Sequence, residues 1–88
     1  MHDDFMHQAI AMAEQAVSQG TGGPFGAVVV HQSSWRLVGR GQNRVLSSND
    51  PTAHAEVEAI RDACRSLQTY ELNDYCIYTS CEPCPMCL

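Results

Sequence analysis

Residues 53–67 limit the folds open to this chain more than any other stretch, because they read as a helix set between two strands. Val57, Ile60, Cys64 and Leu67 recur at three- and four-residue spacing and predict its apolar seam. Asp50-Pro51-Thr52 supplies the start signal, a proline near the first turn with a side chain able to cap. Ahead of the helix, residues 25–31 with the run Ala27-Val28-Val29-Val30 predict a buried strand. Gln32-Ser33-Ser34 predicts a turn, and residues 35–41 a second strand returning antiparallel, followed by a polar connection over 43–51. Residues 75–79 predict a third strand. A helix joining the second strand to the third suits a right-handed crossover and a parallel pair.

Residues 5–19 predict a first amphipathic helix, with Phe5, Met6, Ala9, Ile10, Ala13, Ala16 and Val17 on its apolar side. Asp3 or Asp4 would cap its start and Gly20 would end it. Cys84-Pro85-Met86-Cys87 predicts the first turn of another helix. The expected order is helix, strand, strand, helix, strand, start of helix. The fold class is α/β, a mixed sheet sandwiched by helices. Three strands would leave an exposed edge that calls for more chain or a second copy.

With 88 residues the chain is one small domain, which buries only about 60% of its unfolded surface. A metal, disulfides or a partner chain is the expected reinforcement. The net charge is −5, and the five basic residues are all Arg, which argues against a broad electropositive face for nucleic acid. No apolar run is long enough to span a bilayer. The opening Met1-His2-Asp3-Asp4 is acidic and unlike a secretory signal, so the expected location is the cytoplasm.

Five cysteines, three of them within seven residues, make a poor disulfide framework; in a reducing compartment such clustering points to metal or catalysis. Cys64 and Cys76 read as small buried hydrophobes. His54, Cys84 and Cys87 meet the needs of a catalytic zinc ion, three nitrogen and sulfur ligands with one corner left for water. Glu56 follows His54 by two residues at the start of the predicted helix and would stand beside that water. The alternative is a closed structural site in which Cys81 is the fourth ligand with Cys84, Cys87 and His54, and it leaves Glu56 without a role.

His54-Ala55-Glu56 with Pro83-Cys84-Pro85-Met86-Cys87 is the recognised pattern of zinc-dependent base deaminases. Gly22-Gly23-Pro24-Phe25-Gly26-Ala27 and Asn49-Asp50-Pro51-Thr52, together with Thr79-Ser80-Cys81-Glu82, extend the likeness over essentially the whole chain. It resembles the cytidine deaminase-like superfamily, and within it the bacterial guanine deaminases. The resemblance implies a zinc cofactor, Glu56 as proton carrier, and conversion of guanine to xanthine and ammonia. It also implies that Asn43 hydrogen-bonds the base edge and the Ala55 N–H bonds a base carbonyl. Phe25 would pack on the ring, and the Glu82 carbonyl would meet the leaving amine. From the residues alone, Asn43 reads equally as a turn former and Phe25 as core packing.

Transfer RNA adenosine deaminases are the neighbouring alternative. They typically carry Pro-Val-Gly-Ala where this chain has Pro24-Phe25-Gly26-Ala27, commonly lack a cysteine at the position of Cys81, and present basic surface to RNA. Family members continue well past the second zinc cysteine. The resemblance therefore implies that residues 1–88 are the N-terminal part of a longer zinc-binding domain, truncated at its C-terminus, in a homodimer whose C-terminal segments exchange between subunits.

Overall fold

The computed structural model describes the backbone of residues 2–80 and 82–87, and side chains from 4 to 80. Helix α1 (His2–Gln19) leads to strand β1 (Gly26–His31), which turns back into β2 (Leu37–Gln42). A one-turn helix α2 (Val45–Ser48) occupies the polar connection, and α3 (Ala55–Leu67) carries the chain to β3 (Tyr75–Thr79) and β4 (Glu82–Cys87). Helix α1 starts earlier than expected, so Asp3 and Asp4 lie within its first turn instead of capping it. Gly20 ends it in the left-handed region, at φ 69°, as a glycine readily does.

Among the described residues the sheet order is β2-β1-β3-β4. β1 pairs antiparallel with β2 on one edge and with β3 on the other, and β3 pairs antiparallel with β4. The expected parallel pair and mixed sheet are therefore corrected. β2 and β3 do run in the same direction, but β1 lies between them. The tight hairpin uses only one edge of β1, and the crossover through α3 delivers β3 to the free edge.

The second correction concerns residues 84–87. They lie on β4, with Cys76 opposite Cys87 and Ile77 opposite Met86, where the sequence predicted a helical turn. β4 covers the edge of β3 that would otherwise expose unpaired backbone groups. Pro83 and Pro85, which have no N–H for a ladder, are tolerated because β4 is itself an edge strand.

Helices do cover both faces of the sheet. Successive side chains of β1 alternate between them. Ala27 and Val29 join Ala55, Ala59, Ala63 and Ile77 in a core under α3, while Val28 and Val30 join Phe5, Cys76 and Tyr78 under α1. The Phe5 ring lies 5.4 Å from that of Tyr78 and stacks 6.4 Å from Trp35. Burial pushes the Tyr78 hydroxyl above its ordinary pKa, so it stays neutral. Cys76 is buried as expected, whereas Cys64 is only half-buried.

The α3 seam differs from the expected one. Ala55, Ala59 and Ala63 are its buried residues, while Val57, Ile60, Cys64 and Leu67 are half-buried. The cause is opposite them, on β2. A Cβ on Gly41 would strike the Ala55 carbonyl and the Ala59 amide, and one on Gly39 would strike Ala59 and Ala63. Glycine against alanine lets helix and strand approach so closely that larger side chains are moved to the flanks. On α1 the buried stripe is likewise Phe5, Ala9, Ala13 and Ala16, with Ile10 and Val17 exposed. Among the described residues no helix is long and apolar enough to cross a membrane.

Candidate active site

The close seating of α3 on β2 sets where the α3 N-terminus stands. His54 is its N-cap residue, in extended backbone conformation, and its side chain makes no capping hydrogen bond. Glu56 is two residues on, with a carboxylate oxygen 3.9 Å from His54 Nδ1; the two side chains are 58% and 41% exposed. The first N–H groups of a helix have no acceptor within it, so this end offers donors and a partial positive charge to a ligand.

His54, Ala55 and Glu56 line a cavity of about 250 Å³ together with Phe25 and Asn43. Five of the residues named from the sequence thus meet at one place, where a helix start, the entry to β1 and the exit from β2 converge. Phe25 is 42% exposed, and Asn43 is 8% exposed. A larger hollow of about 650 Å³, between β2 and the C-terminal half of α3, holds Arg36, Arg40 and Asp62 but none of these five.

Glu82 lies on β4 opposite Thr79, and Cys84 and Cys87 lie further along the same strand. The side chains of these three residues, and all of Cys81, are outside the described residues, so the four-ligand alternative falls there too. Among the described residues no three His, Cys, Asp or Glu side chains cluster as a metal site. The part that is described fits zinc. The His54 imidazole is solvent-accessible and unspent on capping, it borders the cavity, and a carboxylate stands beside it. One imidazole with two thiols is a donor set that zinc takes in catalytic sites.

The turn before His54 is held by Asp50. Its carboxylate accepts the Thr52 N–H at 2.9 Å and the Thr52 hydroxyl at 2.7 Å. These two bonds hold the Asp50 carboxyl below its ordinary pKa of 3.8. A depressed folded-state pKa stabilises above the ordinary value, and that contribution is lost as pH falls through the depressed one. The Thr52 amide resonance is therefore expected to titrate with a midpoint below 3.8. A midpoint at or above that value, or unchanged Thr52 amide exchange in Asp50→Ala, would contradict it.

Sequence reasoning missed the polar residues behind Asn43, namely Thr21 (7% exposed) and Gln42 (1% exposed). The only available signal was a polar pair, Gln42-Asn43, following directly on a strand.

The chain matches the cytidine and deoxycytidylate deaminase zinc-binding region over residues 1–88, and it belongs to that family. It is 55% identical to guanine deaminase of Bacillus subtilis, over 99% of this chain and 54% of that protein. The X-ray structure of the Bacillus subtilis guanine deaminase superposes with a TM-score of 0.85, at 54% identity over 99% of this chain and 54% of that one. A tRNA-specific adenosine deaminase of Rickettsia bellii is 38% identical over 93% of this chain and 56% of that protein. The chain thus spans about half the length of these relatives.

Proposed function

We infer that this chain is the N-terminal part, residues 1–88, of a zinc-dependent aminohydrolase that converts guanine and water to xanthine and ammonia. The observation that carries this reading is the single cavity bordered by Phe25, Asn43, His54, Ala55 and Glu56, in a chain 55% identical to a guanine deaminase. Its charge of −5 favours a small purine base over transfer RNA, whose phosphates call for Lys and Arg. Thiolate zinc ligands at Cys84 and Cys87 suit a reducing compartment, and we place the protein in the cytoplasm. For the full-length protein we propose a homodimer with exchanged C-terminal segments.

In this reading His54, Cys84 and Cys87 would hold zinc, which would supply Lewis acidity to activate water. The Phe25 ring packs against the base and excludes water from one face. The Ala55 N–H donates to a base carbonyl, as an N–H in the first turn of α3 with no helical acceptor is able to do. Asn43 hydrogen-bonds the base edge, and the Glu82 carbonyl accepts from the leaving amine. Glu56 takes a proton from the attacking water and passes it to a ring nitrogen. It then takes the second proton and delivers it to the amine. The carbon–nitrogen bond breaks, ammonia leaves, and a carbonyl remains.

The test is to incubate the zinc-loaded protein with guanine and follow xanthine and ammonia. Absence of turnover with zinc bound sinks the reading. Inosine formation in transfer RNA would favour the second reading, which the 38% identity to a tRNA-specific adenosine deaminase supports. Cobalt substitution tests the ligands separately. Two thiolates in the visible spectrum are expected, both lost in the double variant Cys84→Ala/Cys87→Ala. A third thiolate from Cys81 would instead mark a closed structural site.

A further inference from the structure

We propose that Thr21 and Gln42 are positioning residues: a one-way hydrogen-bond chain through them, closed over by Gly22, locks Asn43 with its amide NH₂ offered to the cavity. The inference rests on the reading of Asn43 as a base contact.

Asn43 is tied at three points. Its N–H donates to the Phe25 carbonyl at 3.0 Å. Its carbonyl accepts the Thr21 hydroxyl at 2.7 Å, and its side-chain Oδ1 accepts the Val45 N–H at 3.0 Å. With Oδ1 turned to the Val45 N–H and covered by Gly22, the group left for a ligand is Nδ2, a donor with no partner among the described residues. A ligand is then selected for an acceptor at this edge.

The direction of the chain follows from proton counting. Thr21 has one hydroxyl proton, and the Asn43 carbonyl can only accept it. The Thr21 oxygen must therefore accept from Gln42 Nε2, 2.9 Å away. The second Nε2 proton goes to Gln19 Oε1 at 3.0 Å. This arrangement leaves Gln42 Oε1 buried without a hydrogen-bond partner among the described residues. An aliphatic residue would avoid that penalty; what the amide supplies instead is the donor that orients Thr21.

Thr21 is itself immobilised. Its N–H donates to the Ala16 carbonyl at 3.0 Å, and its own carbonyl accepts Leu46 and Ser47 N–H at 3.0 and 3.1 Å. The next residue, Gly22, passes directly over Asn43. A Cβ there would collide with Asn43 Oδ1 and stand only 2.7 Å from Asn43 Cγ. The observed Asn43 conformer and any side chain at position 22 exclude each other.

The experiment compares Thr21→Val, Thr21→Ser, Gly22→Ala and Asn43→Ala in the zinc-loaded protein with guanine. Thr21→Val, which keeps the shape and deletes the hydroxyl, is expected to raise KM on the order of tenfold, the scale of one ligand hydrogen bond. Its kcat should change far less, Thr21→Ser should restore KM, and Gly22→Ala should reproduce the Thr21→Val pattern. In the Asn43→Ala background Thr21→Val should add nothing. Independently of substrate, the Asn43 side-chain amide resonance should shift or broaden in Thr21→Val and return in Thr21→Ser. If Thr21→Val costs as much without Asn43 as with it, or leaves the Asn43 resonance unmoved, the positioning role fails while the base contact stands. If Asn43→Ala leaves KM for guanine unchanged, the base contact itself fails, and the inference with it.

Discussion

Glu56→Ala is expected to lower kcat/KM for guanine by about 10²–10⁴, the usual contribution of a positioned general acid–base group. That corresponds to about 3–5 kcal/mol of lost transition-state stabilisation. Zinc content should be unchanged, because Glu56 is the proposed proton carrier and is not among the proposed ligands. Fold stability should change little. A carboxylate in the first turn of a helix interacts with its dipole by only about 0.3–1 kcal/mol, and Glu56 is partly exposed. Glu56→Gln should be equally impaired, since it keeps the shape of the side chain but cannot exchange a proton. Metal analysis, thermal unfolding and steady-state kinetics on one preparation check all three points. Activity within tenfold of the parent removes Glu56 from the reaction; loss of zinc together with activity makes it a ligand or a structural support instead.

Gly41→Val is expected to damage the fold and the site together. Gly41 is where β2 meets the first turn of α3, and an added side chain runs into the Ala55 carbonyl and Ala59 backbone. Backbone cannot rotate aside as a side-chain tip would, so the helix must lift. Overpacking of this kind costs typically about 1–3 kcal/mol. In a domain this size that lowers Tm by about 4–24 °C. The part of α3 that lifts is the part carrying His54 and Glu56, so zinc affinity and turnover should fall beyond what unfolding explains. Gly41→Ala should show the same signs in smaller measure. Leu46→Ala, at a side chain 71% exposed on α2, is the control and should stay within about 0.5 kcal/mol of the parent. An unchanged Tm in both Gly41 variants would show that the close approach of helix and strand is not required.

Much of the architecture is legible in local pattern. The run Ala27-Val28-Val29-Val30 has apolar residues on both strand faces, which only a central strand covered on two sides can use, and β1 is that strand. The polar tract 43–51 hid the single turn of α2, because four residues are too few to show a period. The site was legible where chemistry depends on close spacing. His54 and Glu56 are two residues apart at a helix start, and their neighbourhood follows from that alone. The roles of Thr21 and Gln42 were not legible, because 21 residues separate two groups that only the fold brings within 2.9 Å.

The amino-acid order by itself determined the succession α1, β1, β2, α3 and β3, the burial of β1, and the placing of an imidazole and a carboxylate at the start of one helix, since each depends on neighbours a few positions apart. Only the tertiary structure decided that β3 joins β1 and not β2, that residues 82–87 add a fourth strand, and that alanines lie innermost on α3. Size and hydrophobicity favoured Val57, Ile60 and Leu67 for that inner seam. The distance between two backbones excluded them, and that distance is set by Gly39 and Gly41 on a different strand.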